Sequence, residues 1–159
     1  MASRSATLLL AATAFIAQVS LAAESRKGEC LSVIHDGVIP QGSWLSRPPN
    51  SYVLSREQVT ALSEKALEGS ADAALRLGLY HVLTVDPYSK AGPFWLQIAV
   101  ENGSREAMYR LGSVLIESHE LQIKKRGRYW LLRTIAECDG AAKTFAKMAI
   151  EEHEGDFKE

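Results

Sequence analysis

A chain of 159 residues, 47% hydrophobic and 23% charged, has the composition of one packed globular domain. Its formal net charge of -1 argues against a nucleic-acid-binding protein, which needs a basic excess to compete for phosphate.

The chain opens with MASRS, carrying Arg4, and continues with the uncharged run ATLLLAATAFIAQVSLAA. A short basic start, an apolar stretch and small residues before a polar chain predict a secretory signal peptide over 1–23, cleaved after Ala22 or Ala23. The rival reading is an uncleaved anchor, but Gln18 and Ser20 shorten the apolar core below the roughly 20 residues a span needs. Cleavage is expected to leave an exported protein with no membrane insertion. An exported chain with two cysteines, Cys30 and Cys138, is expected to bridge them, the alternative being two unpaired thiols. A bridge closing a loop of about 100 residues is worth up to ~4–5 kcal/mol in the chain-entropy model. Two distant cysteines without clustered histidines do not make a metal site.

Residues 24–54 read as an N-terminal arm. LSVIHDGVI suits a short strand or an apolar plug, and PQGSWLSRPPNSY is a loop-forming mixture of Pro, Gly, Ser and Asn. Trp44, Leu45, Tyr52 and Val53 are placed to pin the arm onto the domain.

Regular structure is expected from Ser55. SREQ is a capping box, and Val59, Leu62, Ala66 and Leu67 follow at helical spacing up to Gly69. Further helices are expected from Gly69 to about Thr84, Lys90 to Glu101, Arg105 to Ser118, Lys124 to Cys138 and Ala141 to Glu154. Asp86-Pro87, Asn102-Gly103 and Asp139-Gly140 punctuate them. No segment after residue 54 has strand periodicity, so the domain at 55–159 is expected to be all-α, built from antiparallel helix pairs.

Three glycine-led segments resemble one another: GSADAALRLG at 69–78, GSREAMYRLG at 103–112 and GAAKTFAKMA at 140–149. Ala73, Ala107 and Thr144 align, as do Leu77, Leu111 and Met148, and Gly78, Gly112 and Ala149. The second helices echo too, with Gly92/Gly127, Phe94/Tyr129, Trp95/Trp130 and Leu96/Leu131 in register. A period of about 34–37 residues with two helices per unit is a helical-solenoid signature. Small residues let backbones approach, and a large aromatic such as Trp95 is expected to fill the space between layers.

Over roughly 55–154 the pattern resembles the Sel-like repeat, a variant of the tetratricopeptide repeat. Ala73, Leu77, Gly78, Lys90, Ala91, Trp95, Ala99 and Gly103 match one copy. Ala107, Leu111, Gly112, Lys125, Trp130, Ala136 and Gly140 match the next, with two extra residues between Trp130 and Gly140 and Arg126 replacing the small Ala91. The resemblance implies a short helical-hairpin solenoid used as a protein-interaction scaffold. Small exported members of this family in Gram-negative bacteria include immunity proteins of type VI secretion effectors, some of which are phospholipase toxins.

No catalytic set emerges. His35, His81, His119 and His153 lack metal-ligand spacing, and no nucleophile elbow or phosphate loop is present. No catalytic residue, metal or cofactor is expected, and the chain reads as a non-enzyme. The residue before each aligned Leu or Met is Arg76, Arg110 or Lys147, which stacked repeats would set in a column. Such a column is either a solvated face or a basic stripe for a protein partner. Tyr80, His81, Arg105 and Tyr109 border it. The expected function is a periplasmic immunity protein that occludes a cognate toxin. The alternative is a periplasmic adaptor or regulator that binds an envelope protein.

Overall fold

The computed structural model describes residues 28–31, 52–86 and 89–158. The expected signal peptide lies outside the described residues, as do Pro87 and most of the arm, with His35, Trp44 and Leu45.

The described residues form an all-α domain of six helices: α1 (Arg56–Leu67), α2 (Ala71–Tyr80), α3 (Ala91–Glu101), α4 (Arg105–Ile116), α5 (Leu121–Glu137) and α6 (Gly140–Glu152). The capping box starts α1: Gln58 N–H donates to Ser55 Oγ at 3.3 Å and Ser55 N–H donates to Gln58 Oε1 at 2.8 Å. Helices α1 and α3 end alike. Gly69 and Gly103 take φ of 104° and 94°, a left-handed conformation that costs glycine nothing. The serine after each glycine caps the next helix, Ser70 accepting from Ala73 N–H and Ser104 from Ala107 N–H.

Two helical hairpins are built on one joint. A Cβ placed on Gly78 of α2 would lie 2.6 Å from Leu96 Cγ of α3, and one on Gly112 of α4 would lie 2.8 Å from Leu131 Cγ of α5. Further along, Gly92 meets Val82 and Gly127 meets Ile116. Moving four residues forward on one helix therefore moves four back on its partner, so each pair is antiparallel. Glycine suits these crossings because a side chain would overlap the facing leucine at Gly78 and Gly112, Val82 at Gly92 and the Ile116 backbone at Gly127. Leu96, Leu131 and Ile116 are fully buried beside Leu77 and Leu111. Trp95, expected to fill the space between layers, is instead half-buried at the edge of the core. The leucine following each tryptophan occupies the centre.

The hairpins differ at their tips. In the first, α2 runs into a turn of π-helix at His81–Val85, closed by Asp86 N–H donating to His81 C=O at 3.0 Å. In the second, α4 ends at Ile116 and only residues 117–120 intervene before α5. Helix α5 thus begins at Leu121, a turn earlier than the apolar spacing predicted.

The third junction corrects the repeat register. Gly140 also takes a positive φ, 66°, but it does not hold the place of Gly69 and Gly103. It is the first residue of α6, and Asp139 stands in the N-cap place of Ser70 and Ser104, though its side chain makes no capping bond. Counted from that cap, Ala142 and Ala146, both fully buried, take the places of Ala107 and Leu111, whereas Thr144 and Met148 are exposed. Likewise Thr134, fully buried, takes the place of Ala99, and Ala136 is exposed. No residues are inserted between Trp130 and this junction. Cys138 stands where the earlier junctions have their left-handed glycine, and its φ of -117° is extended.

That extended pair is the strand β2 (Cys138–Asp139), which pairs in parallel with β1 (Gly28–Glu29). No strand was expected after residue 54, and none as early as residue 28. Cys30 is bonded to Cys138 across 108 residues of sequence, with Cα atoms 5.5 Å apart. Both cysteines and Leu31 are buried against Met108, Tyr109, Ile116, Leu131, Ala142 and Ala146. Among the described residues, no helix is long and apolar enough to cross a membrane.

Candidate functional site

The expected basic column does not assemble as three cations. Arg76 is exposed on α2, and among the described residues no ion pair holds it. Arg110 occupies the same place on α4 but is drawn inward. Its guanidinium pairs with Glu106 at 3.2 Å, both side chains being mostly buried, and lies 5.7 Å from the centre of the Tyr109 ring. Lys147 is exposed on α6, two positions beyond the place that the corrected register assigns to Phe145. The letter match that put Lys147 in the column was a match to Gly140, and Gly140 is not the repeated glycine.

The bordering residues separate as well. Tyr109 is 5% exposed and packs its ring 6.3 Å from that of Phe145, so it belongs to the core. Burial pushes its phenol above the ordinary range. Tyr80 and His81 are half-buried and meet edge to face at 5.1 Å where α2 passes into the π-turn. Burial holds the His81 imidazole below its usual value. Arg105 is half-buried at the start of α4. Arg76, Tyr80 and His81 therefore share one end of the first hairpin, and Arg110 is neutralised on the next.

A different repeated feature faces outward. Phe94 on α3 and Tyr129 on α5 are equivalent by position, and 55% and 54% exposed. Each leans edge to face on the following tryptophan, Phe94 on Trp95 and Tyr129 on Trp130, with ring centres 5.1 Å apart in both pairs. The alignment of the two pairs is visible in the sequence. Their exposure is not, because the same aromatic residues serve equally well as core.

Four charged groups meet at the other end of the second hairpin. His153, just after α6, faces Asp156 Oδ2 through Nδ1 and Glu117 Oε1 through Nε2, each at 3.1 Å. Lys124 of α5 closes onto the same Asp156 carboxylate. Burial lowers the His153 pKa, but the two carboxylates together outweigh it, and the net shift is upward from 6.5. The cluster ties the C-terminal turn to the α4–α5 connection. Among the described residues, no three His, Cys, Asp or Glu side chains gather as a metal-binding group would. Comparison with protein-family models, with curated proteins and with solved structures finds no match to this chain.

Proposed function

We propose that the chain is a short solenoid of Sel-like repeats that works by binding another protein, without chemistry of its own. The observation that carries this reading is the recurrence of one glycine–leucine joint in both hairpins, Gly78 on Leu96 and Gly112 on Leu131. A joint repeated at a fixed spacing sets the outward residues of successive helices side by side, which is how helical repeats make extended binding surfaces. The disulfide suits an exported protein, because such bonds persist in oxidising compartments.

Within that reading, the chain is a periplasmic immunity protein that occludes a secreted effector toxin, of which a phospholipase is one class. It rests on the family resemblance, the expected signal peptide and the absence of a catalytic motif in the sequence. Co-expression with the product of the adjacent gene tests it. The expected result is a stable complex and relief of toxicity when both proteins reach the periplasm. A neighbouring product that is toxic in the periplasm, is not relieved by this chain and does not bind it would refute the assignment.

A further inference from the structure

The charge of the chain is unevenly placed. Helix α5 carries five basic residues, Lys124, Lys125, Arg126, Arg128 and Arg133, against the single acid Glu137, while the whole chain is close to neutral. Not all of that charge is available. Lys124 is committed to Asp156, and Arg133 to Glu137. Arg126 is exposed, and its guanidinium donates to the side-chain oxygen of Gln97 at 3.2 Å. Gln97 is neutral, and its amide nitrogen donates in turn to Glu101 at 2.9 Å, so this bond orients the cation without a direct ion pair and sets one carboxylate beside it. Arg128 is exposed too, but two residues from Arg126 it lies on the other flank of α5, over the Phe157 ring at 5.2 Å.

The Arg126–Gln97 bond also brings two helix faces together. Residues three apart on a helix share a face. Phe94 therefore lies on the face of α3 that carries Gln97, and Tyr129 on the face of α5 that carries Arg126. Leu132, 47% exposed, continues the second face. The result is a surface of held aromatic rings and an oriented arginine. Aromatic side chains and arginine are the residue types that concentrate binding energy in protein interfaces. The aromatic rings are constrained by their tryptophan neighbours, so little conformational freedom remains to be lost on docking.

Resting on the protein-binding reading above, we infer that the joined outer faces of α3 and α5 are the docking surface, and that its partner is an acidic protein segment bearing apolar side chains. The partner's carboxylates meet Arg126, and its apolar groups cover Phe94, Tyr129 and Leu132. An anionic membrane would satisfy the same charges. The few exposed apolar groups here fall short of the continuous apolar face with which an interfacial helix enters lipid.

The test uses the full mature chain and three probes: a synthetic amphipathic helix with glutamates flanking a Phe/Leu stripe, a peptide of equal charge with serine replacing the stripe, and vesicles of phosphatidylglycerol with phosphatidylcholine. Affinity is read by fluorescence anisotropy or vesicle sedimentation for wild type, Arg126→Glu, Tyr129→Ser and Arg76→Glu. All three substitutions are at exposed positions, and circular dichroism checks the fold. The amphipathic peptide should bind, and Arg126→Glu and Tyr129→Ser should each weaken it about tenfold or more, as for truncated interface anchors. Arg76→Glu should leave it within about twofold, since it lies off the surface. The serine peptide should bind at least about tenfold more weakly, having charge without apolar anchors. Failure of the amphipathic peptide to bind, equal binding of both peptides, an equal loss with Arg76→Glu, or vesicle binding in place of peptide binding would overturn the inference. The complex with the adjacent gene product separates the two claims. If it forms and Arg126→Glu leaves it intact, the surface is wrong and the protein-binding reading stands. If no complex forms while the amphipathic peptide binds as described, the surface stands and the immunity reading falls.

Discussion

The two hairpins share a joint and differ in what lies behind it. In the first, a Cβ on Gly92 would run into a side chain, Val82 Cγ2 at 2.5 Å, beside a π-turn. In the second, a Cβ on Gly127 would run into backbone, Ile116 N at 2.5 Å and the Leu115 carbonyl carbon at 2.8 Å. The first hairpin closes at its far end on a left-handed glycine, Gly103. The second closes on Cys138, held by a disulfide and a strand pair. The repeat thus conserves its central contact while the tips and exits vary. A side chain can rotate away from an intruding methyl group, but a helix backbone cannot move without shifting its whole layer.

The largest effects should show the hairpins to be equal. Leu96→Ala and Leu131→Ala each remove a fully buried leucine, and each should cost about 3–5 kcal/mol in chemical denaturation. A cost below about 1 kcal/mol for either would mean that its hairpin does not depend on the joint.

Removing the disulfide should separate them. Cys30→Ser with Cys138→Ser should cost about 2–4 kcal/mol, because the unfolded chain regains the freedom of a long loop. Hydrogen exchange should speed up around α5 and α6 and change little in α2 and α3. Uniform acceleration would show that the bond steadies both hairpins alike.

The glycines give a finer contrast. Gly127→Ala should cost about 1–3 kcal/mol more than Gly92→Ala, the range for overpacking against a neighbour that cannot yield. Equal melting temperatures for the two variants would show that the backbone at Ile116 gives way as readily as Val82.

The smallest effect belongs to the charged cluster at the tip of the second hairpin. His153 has a folded pKa above its ordinary 6.5, so the stability it contributes is fully present below pH 6.5 and is lost as pH rises through the raised value. Asp156 works on the other limb: its carboxyl is held below 3.8, chiefly by Lys124 and then by His153, and its contribution is lost as pH falls through that lowered value. Denaturation midpoints should fall slightly between a pH under 6.5 and one about two units higher, and His153→Gln should abolish that slope. An unchanged slope in His153→Gln would assign it elsewhere.

These contrasts explain what the sequence makes legible. The capping box at Ser55 and the terminating Gly69 and Gly103 are local, and the Gly78 and Gly112 joints are legible because glycine and its facing leucine recur together in both copies. Position along the third copy is not local. Gly140, Thr144 and Met148 match the earlier copies by letter, yet Cys138 and its distant partner Cys30 set the register, and burial follows Ala142 and Ala146. The π-turn leaves no mark in HVLTV, because it differs from an α-turn only in which carbonyl Asp86 N–H meets. The candidate site is the least legible part. Arg110 is a helix former at a solvated spacing, and nothing in the sequence says that Glu106 would take its charge. Phe94 and Tyr129 align in the sequence, but an aromatic pair carries no sign of which ring faces solvent.

The binding claim is tested most directly by hydrogen–deuterium exchange on the full chain, alone and in complex with the adjacent gene product. The account predicts slowed exchange in residues 91–101 and 121–137 of the complex, with 71–80 unchanged. Slowed exchange at 71–80 and 105–116, with 91–101 and 121–137 unaffected, would contradict it and return the site to the helices that carry Arg76 and Arg110.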